Sequence, residues 1–347
     1  MAKQITINEF YEKYNNIALI DVRSPAEFKL GHIEGAINIP LFTDSERSRV
    51  GTIYKQKGKQ EAILIGLEIV GPKLKQLVKD GLKNSINNKL VIYCWRGGMR
   101  SGSIAWLYET AGMEVYIIIG GYKSYRRFVL EQFAKPYKLV MLGGPTGSKK
   151  TEILHYLAQK GEQIIDLEAL AHHKGSAFGN LDGIEQPHTE TFENNLAICL
   201  RNLNPEKIIW IEDESKTIGS AHIPTAFWLK MKKAPLIYLE LPLQKRIEYL
   251  VEIYGKYPKE NLQKAIDKIK KRLGGLAYKQ ALEALQRNDL KTTAKIMLQY
   301  YDAAYYYNSH KREDKSSIYH FKTDLDEVDK LTDELLNFIK VIKNTAL

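Results

Sequence analysis

Cys94 closes an apolar run, Leu90 to Tyr93, and is followed by Trp95, Arg96, Gly97, Gly98, Met99 and Arg100. The reactive form of cysteine is the thiolate. A glycine-bearing loop can turn several N–H groups inward. The helix start behind it, near Ser101, adds partial positive charge, and two arginines add full charges. Such a loop favours a thiolate and could hold a phosphate-like oxyanion against the sulfur. Cys94 must then be reachable from solvent. The second cysteine, Cys199, lies in FENNLAICLRNL on an apolar helical face and reads as core.

A second stretch is built for anions. LVMLGGPTGSKKTEILHYL runs from an apolar strand into a glycine-rich turn, then Lys-Thr, then a helical pattern. That is the order of a phosphate-binding loop, with Gly144, Pro145, Thr146, Gly147, Ser148, Lys149, Lys150 and Thr151 as its residues. The position before the motif lysine should be glycine, and here it is Lys149. If the backbone there needs a positive φ, a lysine costs roughly 1–2 kcal/mol. Anion binding is therefore expected more firmly than efficient ATP or GTP hydrolysis. A catalytically idle loop remains an alternative.

Acids downstream could complete that site. KIIWIEDES is a buried strand ending in Glu212, Asp213 and Glu214. An acid at such a strand end can hold magnesium together with the loop threonine. Asp213 with Thr151 is the expected pair, Glu212 being the next choice. QIIDLEALAHHKGSAFG brings a strand ending at Asp166 and a loop with Gly175, Ser176 and Phe178 that could line a pocket. His172 and His173 are adjacent, a spacing that does not readily turn both toward one ion.

These residues need strands to carry them. Apolar runs at Ile17–Asp21, Leu90–Tyr93, Val115–Ile119, Leu139–Leu142 and Pro235–Pro242 alternate with helical patterns, which implies α/β architecture with parallel sheets. At 347 residues the chain suits about two domains, expected at 1–133 and 134–347. Between about 243 and 310 the pattern is helical and rich in lysine and tyrosine, reading as an insertion in the second domain. Lys268, Lys270, Lys271 and Arg272 cluster there. The net charge of +10 suits a polyanionic partner such as RNA. Two distant cysteines, no apolar run long enough to span a bilayer, and no signal-peptide core at the N-terminus predict a cytoplasmic protein.

DVRSPAEF, GHIEGAINIP and CWRGGMRS together resemble a rhodanese domain, a sulfur- or selenium-carrying module, over about residues 4–130. Joined to GPTGSKKT, and with DLEALAHHKGSAFG and IEDESKTIGSAHIP following, the chain resembles the tRNA 2-selenouridine synthase family. In that family the loop normally reads Gly-Ser-Gly-Lys-Thr, so Lys149 is a departure. The resemblance implies two steps on the wobble 2-thiouridine of tRNA: geranylation of its sulfur from geranyl diphosphate, then replacement by selenium from selenophosphate. It implies that Cys94 handles selenium and that the phosphate loop holds a diphosphate. The five residues between Cys94 and Arg100 also resemble phosphatase loops built on Cys and Arg, wide enough for a tetrahedral anion. Tyr93 stands where many of those carry His, which weighs against the alternative of a Cys-dependent phosphatase or arsenate-reductase-like enzyme.

Overall fold

The computed structural model describes residues 2–309 and 317–343; His310, at the expected end of the helical region, lies outside them. The chain divides into two compact units, Met1–Gln132 and Phe133–Leu347.

The first unit is built on a five-stranded, all-parallel sheet. Its strands are β1 Lys3–Ile5, β2 Ala18–Asp21, β3 Ile37–Asn38, β4 Lys89–Tyr93 and β5 Glu114–Ile118, in the order β1-β5-β4-β2-β3. β4 is central, and Leu90 to Tyr93 are fully buried on both faces, as an unbroken apolar run requires in a parallel sheet. Local signals start the helices. Ser24 caps Pro25–Leu30 through a capping box with Glu27, and Pro25 occupies the first helical position. At the end of β2, Asp21 and Arg23 form a buried ion pair, Nη2 to Oδ2 at 2.6 Å, and the guanidinium lies 3.8 Å from the centre of the Tyr122 ring.

The second unit carries another parallel five-stranded sheet: β6 Lys138–Gly143, β7 Gln163–Ile165, β8 Ile208–Glu212, β11 Leu236–Glu240 and β12 Ile318–Lys322. Their order is β12-β11-β6-β8-β7. β9 Thr217–Ile218 and β10 Ala221–His222 form a small antiparallel ribbon. β6 lies in the centre, so the loop after it opens at the carboxyl edge, where ligands of open α/β sheets bind. Five helices from Leu243 to Ser309 stand between β11 and β12 and pack around Leu262, Ile266, Ala281, Leu285 and Met297. No helix among the described residues is long and apolar enough to cross a membrane.

Candidate functional site

In the first unit Cys94 follows β4, and the helix Met99–Thr110 begins two residues earlier than the sequence suggested, so Arg100 lies in its first turn. The loop closes against the start of the helix Gly121–Gln132: the amides of Tyr122 and Lys123 donate to the carbonyls of Cys94 and Trp95 at 2.8 and 2.9 Å. Gly97 and Gly121 have φ of +63° and +57°. A Cβ on Gly121 would lie 2.2 Å from the Cys94 carbonyl, and one on Gly97 2.8 Å from that of Ile118. This closeness is why the loop needs glycine at both places.

Cys94 Sγ lies 3.2 Å from Ser101 Oγ. Burial pushes the thiol pKa up. The Ser101 hydroxyl, the amides of Arg96 and Ser101, and the Arg100 charge outweigh it, so the net shift is downward. This is the anion-favouring ring the residue types implied. The access is narrower than expected: Cys94 is only 3% exposed, while Trp95 is 37% and Met99 54% exposed. The sulfur turns inward to Ser101 and forms the floor of the loop, so Cys94 is not the open thiol that its role as a carrier called for. Arg100 is not aimed at an incoming anion either. Its Nη1 and Nη2 donate to the two Glu27 oxygens at 2.7 and 3.2 Å. Burial opposes ionisation of Glu27, but Arg100 and the Ser24 amide hold its pKa below the usual value. Tyr93 is structural: its hydroxyl accepts from the Ile33 amide at 3.2 Å. Both arrangements weigh against a Cys-Arg phosphatase.

In the second unit the turn from Gly144 to Thr151 links β6 to the helix Lys150–Gln159. Ser148 closes it, its amide donating to the Pro145 carbonyl at 3.2 Å and its hydroxyl at 2.8 Å. Lys149 has φ 57° and ψ 28°, the left-handed conformation that glycine would occupy freely. Lys150 Nζ folds back to the Gly144 carbonyl at 3.0 Å. Arg246, buried on the helix Leu243–Tyr254, donates to the Thr146 carbonyl at 3.1 Å and pairs with both oxygens of Asp302 at 2.8 and 2.7 Å. Nothing in its sequence context marked Arg246, one basic residue on an amphipathic helix.

The loop opens into a cavity of about 480 Å³ whose walls include Thr146 to Glu152, Asp166, Glu168, Gly175, Ser176, Glu212 and Glu214. Asp213 is a correction. Residues 212 and 214 turn one way and 213 the other, so Glu212 and Glu214 face the loop. Asp213 Oδ1 instead lies 3.4 Å from Lys232 Nζ. Glu168, missed by sequence reasoning, joins them: ligand oxygens of Glu168, Glu212 and Glu214 lie within 4.8 Å of one another. Burial, then the charges of Glu212 and Glu214, push Glu168 up to about 9. Burial pushes Glu212 up to about 7, against the opposing Lys150 ammonium and the Thr151 hydrogen bond. Glu212 Oε1 is buried with no hydrogen-bond partner. Clustered carboxylates with an unsatisfied oxygen beside a loop threonine are the hard donors that Mg²⁺ takes. Asp166 caps the next helix through the Ala169 amide at 2.8 Å and lies 2.6 Å from His155 Nε2. His172 bonds the Glu185 carbonyl through Nδ1 at 3.1 Å.

A second cavity, about 60 Å³, adjoins the same loop at Thr146 and Ser176. Its lining is almost wholly apolar and includes Phe178, Leu250, Leu262, Ile266, Met297 and Leu298. Phe178 thus belongs to this slot and packs, tilted by 52°, against Tyr254 at 5.5 Å between ring centres. Lys268, Lys270, Lys271 and Arg272 are all exposed at two adjoining helix ends.

Residues 137–337 match the family described as tRNA 2-selenouridine synthase AAA domain, and residues 6–127 match the rhodanese-like domain. A protein of Bdellovibrio bacteriovorus is 41% identical over 249 residues, covering 69% of this chain and 65% of that protein. One of Shewanella frigidimarina is 37% identical over 339 residues, covering 86% and 90%. One of Hydrogenovibrio crunogenus is 35% identical over 336 residues, covering 86% and 91%. All three carry the name tRNA 2-selenouridine synthase.

Proposed function

The chain belongs to the tRNA 2-selenouridine synthase family, and on that premise we propose that it replaces the sulfur of wobble 2-thiouridine in tRNA by selenium, through an S-geranyl intermediate. The observation that carries this reading is the apolar slot meeting the phosphate loop at Thr146. A loop of amides and Lys150 suits a diphosphate, and an adjoining hydrocarbon-lined slot suits an isoprenoid chain. The slot is smaller than a ten-carbon chain, so as it stands it takes only part of one.

In the first step the 2-thio sulfur attacks the first carbon of the geranyl group. The carbon–oxygen bond breaks, diphosphate leaves with its electron pair, and N3 of the base gives up its proton. Negative charge grows on the diphosphate, and Lys150 and the amides of residues 146–151 meet it. Thr151, Glu212, Glu214 and Glu168 would hold Mg²⁺, which supplies further charge at that leaving group. In the second step selenophosphate attacks C2 through selenium and geranylthiolate leaves. Water then releases phosphate and the selenium stays on the base. The ring around Cys94 and the Arg96 amide would receive the selenophosphate at the mouth of the loop. Lys268, Lys270, Lys271 and Arg272 offer charge to the tRNA backbone.

Titration calorimetry with geranyl diphosphate and inorganic pyrophosphate tests the carrying observation. Burying apolar carbon contributes about 0.8 kcal/mol per methylene, so geranyl diphosphate binds at least roughly tenfold tighter. Equal affinity would mean the slot takes no chain.

A further inference from the structure

Lys149 occupies a backbone conformation that an L-residue adopts reluctantly, and its side chain is not loose. Nζ donates to the Asp326 carbonyl at 2.7 Å and lies 2.6 Å from Asp326 Oδ1. On another side it sits 5.3 Å from the centre of the Tyr249 ring, and the lysine side chain is only 12% exposed. Residue 149 is the last before the helix Lys150–Gln159, so its φ and ψ set where the first helical amides, Lys150 and Thr151 point. Asp326 lies between β12 and the helix Val328–Lys343. The other end of the loop's helix is tied to that same element, Lys160 Nζ to Asp333 Oδ1 at 2.9 Å. Polar contacts from residues 326–333 therefore meet both ends of the helix behind the phosphate loop, the Lys160–Asp333 pair being largely exposed.

We propose that Asp326 is a positioning residue for the phosphate loop: by gripping Lys149 it holds residue 149 in the left-handed conformation and keeps the anion cradle formed. Asp326 thus supplies from outside the loop what a glycine at 149 would supply by having no Cβ. The charge of Lys149 is used on Asp326 and Tyr249 rather than on the anion. The proposal rests on residues 144–151 being a diphosphate cradle.

The test is calorimetric titration of inorganic pyrophosphate, at fixed magnesium chloride, into the full chain and five variants. Asp326→Ala removes the carboxylate but keeps the backbone carbonyl on Lys149, and weakens binding about threefold to fivefold, the size of a half-exposed ion pair. Asp326→Glu restores most of it. Lys149→Gly still binds, and adding Asp326→Ala to it changes affinity by less than about twofold, the additivity failure of a coupled pair. Lys150→Ala reports on the cradle itself. If Asp326→Ala does not fold, Asp326→Asn replaces it with the same expectation. Three results overturn the proposal: Asp326→Ala binding like the parent, Asp326→Ala weakening binding equally with and without Lys149, or Lys149→Gly losing binding as completely as Lys150→Ala. Failure of the parent chain to bind pyrophosphate, or indifference to Lys150→Ala, overturns the cradle reading together with this one.

Discussion

The Thr151 side chain, at the end of the phosphate loop, favours the ionised form of Glu212 at the end of β8, and both residues line the same cavity. Through Glu212 the loop reaches Glu214 and Glu168, three carboxylates in one small volume. Burial and mutual repulsion keep protons on them, and Glu168 is pushed up to about 9.

A carboxyl with a raised folded pKa binds more protons folded than unfolded, so stability falls as pH rises from its unfolded value toward about 9. In metal-free buffer the thermal midpoint of the second unit is expected to drop between about pH 5 and 9, and Glu168→Gln to flatten that slope. Magnesium chloride should offset the drop at the alkaline end, releasing protons as it binds. A midpoint that rises over this range would contradict the cluster's proton-holding character.

Cys94 is expected to alkylate at lower pH than an ordinary thiol of pKa about 8.5, but slowly, because its sulfur lies on the loop floor. Ser101→Ala removes the nearest stabilising hydroxyl and should move the rate midpoint upward. A midpoint unmoved by Ser101→Ala, measured with iodoacetamide across pH, would deny the hydroxyl its part.

The slot predicts a selective loss. Ala294→Phe, which fills it beside Met297 and Leu298, should weaken geranyl diphosphate binding by about tenfold or more while pyrophosphate affinity holds. Equal weakening of both ligands would place the damage in the loop instead.

The α/β architecture and the two anion loops were legible because each is local: an apolar run, glycines, then a helix start. The demand for a positive φ at position 149 was legible too, since the motif puts glycine there. The acid was not. Glu212 and Glu214 share one face of an extended segment and Asp213 the other, but sequence does not say which face meets the loop. The depth of Cys94 depends on Gly121 and Ser101 closing over it, a tertiary approach with no local signature. Arg246, Asp326 and the apolar slot come from packing between segments far apart in the chain, which periodicity cannot register.

Mass spectrometry of a tRNA bearing 2-thiouridine, incubated with geranyl diphosphate and then selenophosphate, tests the central claim most directly when run on the parent chain and on Cys94→Ser. The account predicts geranylated tRNA from both proteins after the first addition and 2-selenouridine from the parent alone after the second. Unmodified tRNA from the parent after the first addition, or 2-selenouridine from Cys94→Ser, would contradict it.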